Sequence, residues 1–343
     1  KKEVLTELPD KIEQNMILPF NDEEEKIYVA NLAKANKELQ ELYDIEGSDK
    51  MQILKLLTRL RQLCLEPRLV YDNIDQVFED ENVDIIYIST PHNTHIEFLR
   101  KALKAGKHVL CEKSITLNSE ELEEAINLAK ENNVVLAEAM TIYHMPIYKK
   151  LNEIISSGKL GDLGLIQMNF GSYKEYDMTN RFFNRNLAGG AMLDIGVYAL
   201  SFVRWFMTSV PDQVVSQVKM APTGVDEQAG ILLKNKEEEM ATVMLSLHCK
   251  QPKRGTIAFD KGYIEIFEYP RGQEAVITYT EDGHKETITG GNTKDALYYE
   301  VEDMEKTIDR IGDFTYLEYT KDVMQIMTDI RKQWGMTYPE EEK

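Results

Sequence analysis

Apolar residues in the first 73 residues recur at helical spacing. Those between Ile27 and Leu42 fall on one side of a helix, and Asn21 precedes an acidic first turn that suits a helix N-terminus. Ser48 precedes a second apolar stripe, which ends near Pro67. Since no strand pattern separates the two stripes, this segment is predicted to be a helical hairpin.

Short apolar runs then alternate with amphipathic stretches. VDIIYIST, residues 83–90, is a continuous β-branched run of the kind found in parallel strands that are covered on both faces. HVLCEK and VVLAEA predict two further strands, and helices are expected at about 94–105 and 118–132 between them. This order predicts three parallel strands with right-handed crossovers, which form a partial Rossmann-like sheet over residues 74–145.

Residues 163–288 are dominated by strict alternation, after a helix near 147–157. The alternating runs are LIQMNFGSY, VVSQVKM, AGILLKN, ATVMLSLH and AVITYT. They predict an open, mainly antiparallel sheet, and two amphipathic helices near 297–308 and 317–334 are expected to pack on one of its faces. The fold class is therefore α/β followed by α+β, with domains at 1–73, 74–145 and 146–343.

Composition narrows the possible functions of this 343-residue chain. It carries 40 Lys+Arg against 59 Asp+Glu, for a net charge of −19, and no basic patch interrupts this balance, so we expect neither a nucleic-acid nor a membrane partner. Three separated cysteines argue against a disulfide framework and favour a reducing cytoplasm. The opening residues are polar and acidic, so no signal peptide is expected.

Three strings resemble the Gfo/Idh/MocA family of NAD(P)-dependent oxidoreductases. VDIIYISTPHNTH is similar to the family's fourth Rossmann strand and the loop under the nicotinamide. GKHVLCEKSIT is similar to the strand that ends in Glu-Lys-Pro, with Ser114 in place of the proline, and AGGAMLDIGVYAL resembles the double-glycine signature that ends in His or Tyr. The resemblance runs from about Tyr71 to the C-terminus, and DIGVY is most similar to the branch of dihydrodiol and xylose dehydrogenases.

The resemblance implies a site for NAD or NADP and for a sugar, polyol or cyclic diol. The implied cofactor residues are Ser89, Thr90, Pro91, His92, His95, Glu112 and Lys113. Lys113, Asp194 and Tyr198 are the implied catalytic group, and Tyr173, Arg181 and Arg185 are candidates to face the substrate. A homo-oligomer formed through the sheet domain is also expected.

The chemistry of hydride transfer suits these residue types. Oxidation of an alcohol needs a group that removes the hydroxyl proton, and a lysine cation within about 4–6 Å would lower the pKa of Tyr198 toward that task. Asp194 and Tyr198 also fit an ordinary helix cap and core aromatic. His92 and His95 have the spacing H-x-x-H but no third ligand nearby, so no metal site is expected.

The dinucleotide fingerprint G-x-G-x-x-G has no counterpart before Val83, where the first glycine is Gly47. Instead, the strings Leu-Pro-x-Lys and Leu-x-x-Leu-Arg-Gln-x-Cys-x-x-Pro-x-Leu resemble Swi/Snf-type DNA-dependent ATPases over about residues 1–73, without a phosphate loop. We therefore expect a hybrid chain that lacks the first half of the Rossmann domain. Strand 83–90 would then lie at a sheet edge.

Three functions follow in order of preference. The first is an oxidoreductase of the Gfo/Idh/MocA type. The second is a catalytically inactive hybrid whose sheet domain serves only as an oligomerisation module. The third, a DNA-associated fragment of a remodelling motor, is disfavoured because residues 1–73 carry 11 Lys+Arg against 15 Asp+Glu.

Overall fold

A computed structural model describes residues 73–342. The predictions of a helical hairpin and of an ATPase-like segment fall on residues 1–72, which lie outside the described residues. Helix α1, Asp75–Glu79, belongs to a unit that ends at Asp80. The elements below belong to a second unit, which begins at Glu81.

The predicted parallel sheet is confirmed. It contains β1 (Ile85–Ile88), β2 (His108–Glu112) and β3 (Leu136–Ala139) in the order β1-β2-β3, and both pairs are parallel. Helices α2 (His95–Lys104) and α3 (Ser119–Glu131) make the two crossovers. The α3 N-terminus is capped by Asn118, whose side chain accepts a hydrogen bond from the Glu121 N–H at 2.8 Å. Among the described strands, β1 lies at the edge of this sheet.

A second sheet of eight strands follows. The strands are β4 (Leu163–Gly171), β5 (Gln213–Met220), β6 (Asp226–Lys234), β7 (Met240–Ser246), β8 (Arg254–Phe259), β9 (Gly262–Phe267), β10 (Glu274–Tyr279) and β11 (Lys285–Thr289), in the order β11-β10-β9-β8-β4-β7-β6-β5. Their pairing is antiparallel, as predicted, except that β4 and β7 run parallel. That pair was not predicted. It joins two strands that are separated along the chain by β5 and β6, and the alternation within a strand does not indicate such a distant neighbour.

Five further helices complete the unit. They are α4 (Thr141–His144), α5 (Pro146–Ser156), α6 (Val197–Phe206), α7 (Ala296–Ile308) and α8 (Leu317–Gln333), and a single π-helical turn, Met192–Gly196, leads into α6. Helix α6 packs on the buried face of the second sheet, against β4 and β7. The prediction that the last two helices cover this face is wrong: α7 packs mainly on α4 and β3, and α8 on α6, α3 and β3.

The stretch Arg185–Phe206 has the length and the mean hydropathy, 1.3, of a membrane-spanning helix. However, 78% of its apolar window is buried inside the protein. Its apolar side chains already pack against the second sheet and against α8, so its composition is that of a central core helix.

Candidate active site

A cavity of about 380 Å³ lies where the loops after β1 and β2 meet the loop that precedes α6. Its lining residues are Ser89, Thr90, Pro91, His92, Glu112, Lys113, Arg181, Phe182, Leu187, Ala188, Gly189, Gly190 and Asp194. Parallel sheets bind ligands outside the carboxyl ends of their strands, and this is the edge at which the cavity opens. Six of the seven predicted cofactor residues therefore lie together on one cavity.

Lys113 is tied to Asp194 by two contacts. Its Nζ donates a hydrogen bond to the Asp194 backbone oxygen at 2.7 Å and lies 3.3 Å from the carboxylate Oδ1. The same Nζ is 5.0 Å from the centre of the Tyr198 ring. The structure thus brings together all three predicted catalytic residues. An ammonium group has three N–H donors, so one donor of Lys113 is left for a ligand.

Asp194 is a buried carboxylate with two cationic neighbours. Burial alone would raise its pKa, but the charges of Lys113 and Arg181 outweigh that effect and hold the pKa below its ordinary value. The guanidinium of Arg181 lies 3.7 Å from Asp194 Oδ1, with a side chain that is 59% exposed. Asp194 therefore remains ionised near neutral pH.

Tyr198 carries a neutral phenol rather than the phenolate that the sequence suggested. Burial, and then the charges of Glu112 and Asp194, raise the pKa of Tyr198 well above its ordinary value. The predicted lowering of the Tyr198 pKa is therefore wrong, because burial and the two neighbouring carboxylates determine the direction of the shift. In the described part of the chain the Tyr198 hydroxyl has no hydrogen-bond partner, so it is free to donate to a ligand.

The two histidines after β1 have different roles. His92 lines the cavity, and its Nε2–H donates to the Lys113 carbonyl at 3.1 Å. Burial and the Lys113 charge lower its pKa to about 4, so the ring is neutral at neutral pH. The prediction that His95 also lines the cofactor loop is not supported. His95 is buried behind it, within 3.0 Å of the Ser114 carbonyl and 2.8 Å of the Thr90 carbonyl.

Glu112 lines the cavity and is hydrogen-bonded to a side chain of β1. One carboxylate oxygen accepts from the Tyr87 hydroxyl, and the other accepts from the Lys113 backbone N–H at 3.3 Å. The peptide bond between Lys113 and Ser114 is cis. Glu112 and Lys113, adjacent at the carboxyl end of β2, therefore place one negative and one positive group on the cavity.

Two of the three predicted substrate residues lie away from the cavity. Arg181 lines it. The Arg185 guanidinium instead binds the Thr337 carbonyl at 2.9 Å and the Glu342 carboxylate, and the Tyr173 ring is 60% exposed beside His248. The prediction for Arg185 and Tyr173 is therefore not supported, because the direction of a loop side chain depends on distant partners.

Several cavity residues were not predicted. Phe182 and Leu187 lie on the irregular loop between β4 and α6, where no periodic pattern indicates which side chains face inward. Ala188, Gly189 and Gly190 belong to the double-glycine string, which could have indicated them. The described residues contain no group of three or more His, Cys, Asp or Glu side chains arranged to hold a metal ion.

Comparisons with protein-family models give two matches. Residues 11–140 match an oxidoreductase family with an NAD-binding Rossmann fold, and residues 148–265 match the GFO/IDH/MocA C-terminal domain. The first match begins at residue 11, inside the segment that was predicted to resemble Swi/Snf-type ATPases.

Individual relatives and solved structures are also dehydrogenases or oxidoreductases by name. The trans-1,2-dihydrobenzene-1,2-diol dehydrogenase of Xenopus tropicalis is 27% identical over 278 residues, which are 78% of this chain and 84% of that protein. The D-xylose 1-dehydrogenase (NADP(+)) of Hypocrea jecorina is 27% identical over 314 residues, with 79% and 78% covered. The fold is similar to that of an aldose-aldose oxidoreductase from Caulobacter crescentus complexed with glycerol, at a TM-score of 0.71 and 19% identity, with 82% and 88% of the two chains covered.

Proposed function

Because the chain belongs to the Gfo/Idh/MocA family of oxidoreductases, we propose that it transfers hydride between NAD or NADP and a hydroxyl-bearing carbon of a sugar, polyol or cyclic diol. One observation carries this proposal. The pair of Lys113 and Asp194 lies on a cavity at the carboxyl ends of β1 and β2, with the phenol of Tyr198 next to Lys113.

The residues present fit the nicotinamide half of the cofactor. The loop Ser89–His92 and the side chains of Glu112 and Lys113 would hold it, with the remaining N–H of Lys113 suited to a ribose hydroxyl. A cavity of about 380 Å³ lies within the usual range for small-molecule sites. The bound nicotinamide supplies or accepts the hydride. The protein supplies binding, orientation and the proton.

Tyr198 is the residue that we assign to the proton. Its neutral phenol can donate a proton to a carbonyl oxygen as the carbonyl is reduced. In the direction of oxidation, the Tyr198 phenolate oxygen accepts the proton of the substrate hydroxyl. Lys113 lies close enough to stabilise the phenolate as it forms. Asp194 holds the ammonium group of Lys113 in place.

The names of the two relatives support a substrate with neighbouring hydroxyls, since one is a diol dehydrogenase and the other a xylose dehydrogenase. The cavity offers suitable groups for such a substrate. Asp194 can accept hydrogen bonds from hydroxyls, and Arg181 and Lys113 can donate to them. We therefore place the substrate between Arg181 and Tyr198.

Kinetics on matched tyrosine variants test this function. The wild-type protein is assayed with NAD⁺ and NADP⁺ against D-xylose, inositols and a trans-dihydrodiol, by the absorbance of the reduced nicotinamide. Tyr198→Phe should lower kcat by about 10²–10⁴-fold without a loss of folding, whereas Tyr173→Phe should change it by less than about 2-fold. Unchanged turnover in Tyr198→Phe would remove Tyr198 from the reaction.

We also propose that the chain is a hybrid, in which a segment similar to Swi/Snf-type ATPases precedes an oxidoreductase without its first Rossmann half. The missing G-x-G-x-x-G string supports this proposal. A variant that lacks residues 1–72 should then bind NADP⁺ with an affinity within about 3-fold of the full chain, because no fingerprint is lost. A larger loss of affinity would show that the segment forms part of the cofactor site.

A second copy of the chain is the partner that we propose for the open face of the second sheet. Cross-strand register places six exposed apolar side chains on this face, Leu165, Val215, Leu232, Met240, Met244 and Phe267. Such a patch is typical of interfaces. Light scattering should give a dimer or larger assembly for the wild type and a monomer for Val215→Glu. An unchanged mass for the variant would contradict the proposal.

A further inference from the structure

Asp226 is a buried carboxylate that lies outside the catalytic group but next to it in space. It begins β6, is fully buried, and its Oδ2 accepts a hydrogen bond from the Met192 N–H at 2.6 Å. Its other oxygen, Oδ1, has no hydrogen-bond partner among the described residues. An unpaired buried oxygen is costly, so a position that retains one calls for an explanation.

The unpaired oxygen lies against the double-glycine turn. A Cβ added at Gly190 would be 2.1 Å from Asp226 Oδ1, and the φ of Gly190 is +124°. Gly190 therefore needs to be a glycine for two reasons, its backbone conformation and the close approach of this carboxylate. Gly189 and Gly190 both line the cavity, so Asp226 supports the cavity from behind.

The other side of the same turn is held by the C-terminal segment. The Tyr338 hydroxyl donates to the Gly189 carbonyl at 2.7 Å, and the Tyr338 ring is fully buried. Asp226 thus packs against Gly190, and Tyr338 is hydrogen-bonded to the adjacent Gly189. We call these two residues the turn clamp.

The clamped turn leads directly into the catalytic residues. Met192 begins the π-helical turn that contains Asp194, and this turn continues into α6, whose second residue is Tyr198. The side chain of Asp226 accepts a hydrogen bond from the first N–H of the turn. A shift of the turn would therefore move Asp194 and Tyr198 relative to Lys113, which lies on β2.

We propose that the turn clamp, Asp226 and Tyr338, is a positioning device for catalysis that fixes the distance between Tyr198 and Lys113. This inference rests on the proposed oxidoreductase function. Misplacement of a catalytic group by about 1 Å can cost about 10²-fold in rate, so loss of the clamp should affect kcat more than binding.

Kinetics of clamp variants and of a matched control test the proposal. Asp226→Ala should lower kcat by about 10–100-fold with KM and cofactor affinity within about 3-fold, and Asp226→Asn should recover part of the rate because its amide oxygen can still accept from Met192. Tyr338→Phe, which keeps the buried ring, should lower kcat by about 3–10-fold. It also tests the clamp if Asp226→Ala does not fold.

The control is Glu239→Gln. Glu239 is also a buried carboxylate next to the hairpin of β6 and β7, and it accepts from the Thr208 N–H at 2.9 Å, but it does not line the cavity. Its kcat should stay within about 2-fold of wild type. Unchanged kcat in folded Asp226→Ala or Tyr338→Phe overturns the clamp, as does an equal loss in Glu239→Gln.

A readout without turnover separates this inference from the proposed function. Tyrosine can be ¹³C-labelled in the whole chain, and the Tyr198 ring signal is assigned by its loss in Tyr198→Phe. The Tyr198 signal should move in Asp226→Asn and Tyr338→Phe and stay in place in Glu239→Gln, even if no substrate is ever turned over. A Tyr198 signal that is unmoved in both clamp variants overturns the clamp, whereas absent turnover alone counts only against the oxidoreductase.

Discussion

The charges of three side chains define the chemistry of the cavity. Lys113 is a cation, Asp194 is an anion held ionised by Lys113 and Arg181, and Tyr198 is neutral. A neutral phenol beside an ammonium group can give up a proton with little reorganisation, because the positive charge that stabilises the phenolate is already present. In this resting state Tyr198 can act as the proton donor when a carbonyl is reduced. Alcohol oxidation requires the Tyr198 proton to leave first.

Substitution of Lys113 tests this arrangement. Lys113→Met keeps much of the side-chain volume but removes the charge that stabilises a phenolate and the partner that lowers the pKa of Asp194. We expect kcat to fall by about 10²-fold or more in steady-state assays. Lys150→Met is the control, since that exposed lysine binds the Thr289 carbonyl far along the chain from the cavity residues. A Lys113→Met variant as active as Lys150→Met would contradict the assigned role.

The residue types of the site were predictable, but their ionisation was not. The three strings placed Lys113, Asp194 and Tyr198 correctly together. The sequence could not reveal that Tyr198 is buried near Glu112, which raises its pKa instead of lowering it. Nor could it show that Arg185 binds Glu342 at the far end of the chain.

At the scale of elements, the double-glycine turn is the most constrained part of the site. Gly190 combines a φ of +124° with an oxygen of Asp226 where its Cβ would lie. Gly106 ends the crossover helix α2 with a φ of +73° but has open space around its Cβ position. A side chain at Gly106 would therefore meet only a left-handed backbone, whereas one at Gly190 would meet a more strained φ and a clash as well.

Gly190→Ala should therefore destabilise the fold more than Gly106→Ala. Strain alone should cost about 1–2 kcal/mol in Gly106→Ala, and the clash with buried Asp226 should add about 1–3 kcal/mol in Gly190→Ala. Urea unfolding of both variants measures the free energy of unfolding. Equal losses in the two variants would contradict the close approach of Asp226 to the turn.

Local sequence patterns predicted most helices and strands, but they did not predict how distant strands pair. The three parallel strands and the helices α2, α3, α7 and α8 begin and end close to their predicted positions, because their hydrophobic periodicity is strong. The π-helical turn was missed, because the spacing from Asp194 to Tyr198 fits an α-helix equally well. The parallel pair of β4 and β7 joins residues that are 75 positions apart, such as Leu165 and Met240, and no local pattern contains this information.

For the whole molecule, buried carboxyl groups link stability to pH. Burial raises the pKa of Glu138 to about 7, that of Asp226 to about 7 and that of Glu300 to about 8. In each case the folded chain holds a proton that the unfolded chain has already released. The free energy of unfolding should therefore fall as the pH rises from about 5 to about 8.

Glu300→Gln should reduce this dependence. Glu300 is buried on α7, and one of its oxygens has no partner among the described residues. The neutral amide no longer needs a proton, so the variant should be more stable than wild type at pH 9 by about 2–4 kcal/mol and similar to it at pH 5. Glu305→Gln, an exposed change on the same helix, is the control in thermal unfolding at both pH values. A parallel pH dependence in Glu300→Gln and wild type would contradict a protonated Glu300.

The most direct measurement of the whole account is a calorimetric titration of the full chain with NAD⁺ and, separately, NADP⁺. The cavity on β1, β2 and the double-glycine turn should bind at least one of them with a Kd below about 1 mM, and Lys113→Met should weaken that binding by about 10-fold or more. No heat of binding with either cofactor at millimolar concentration would contradict the oxidoreductase and favour a chain whose sheet serves only for association.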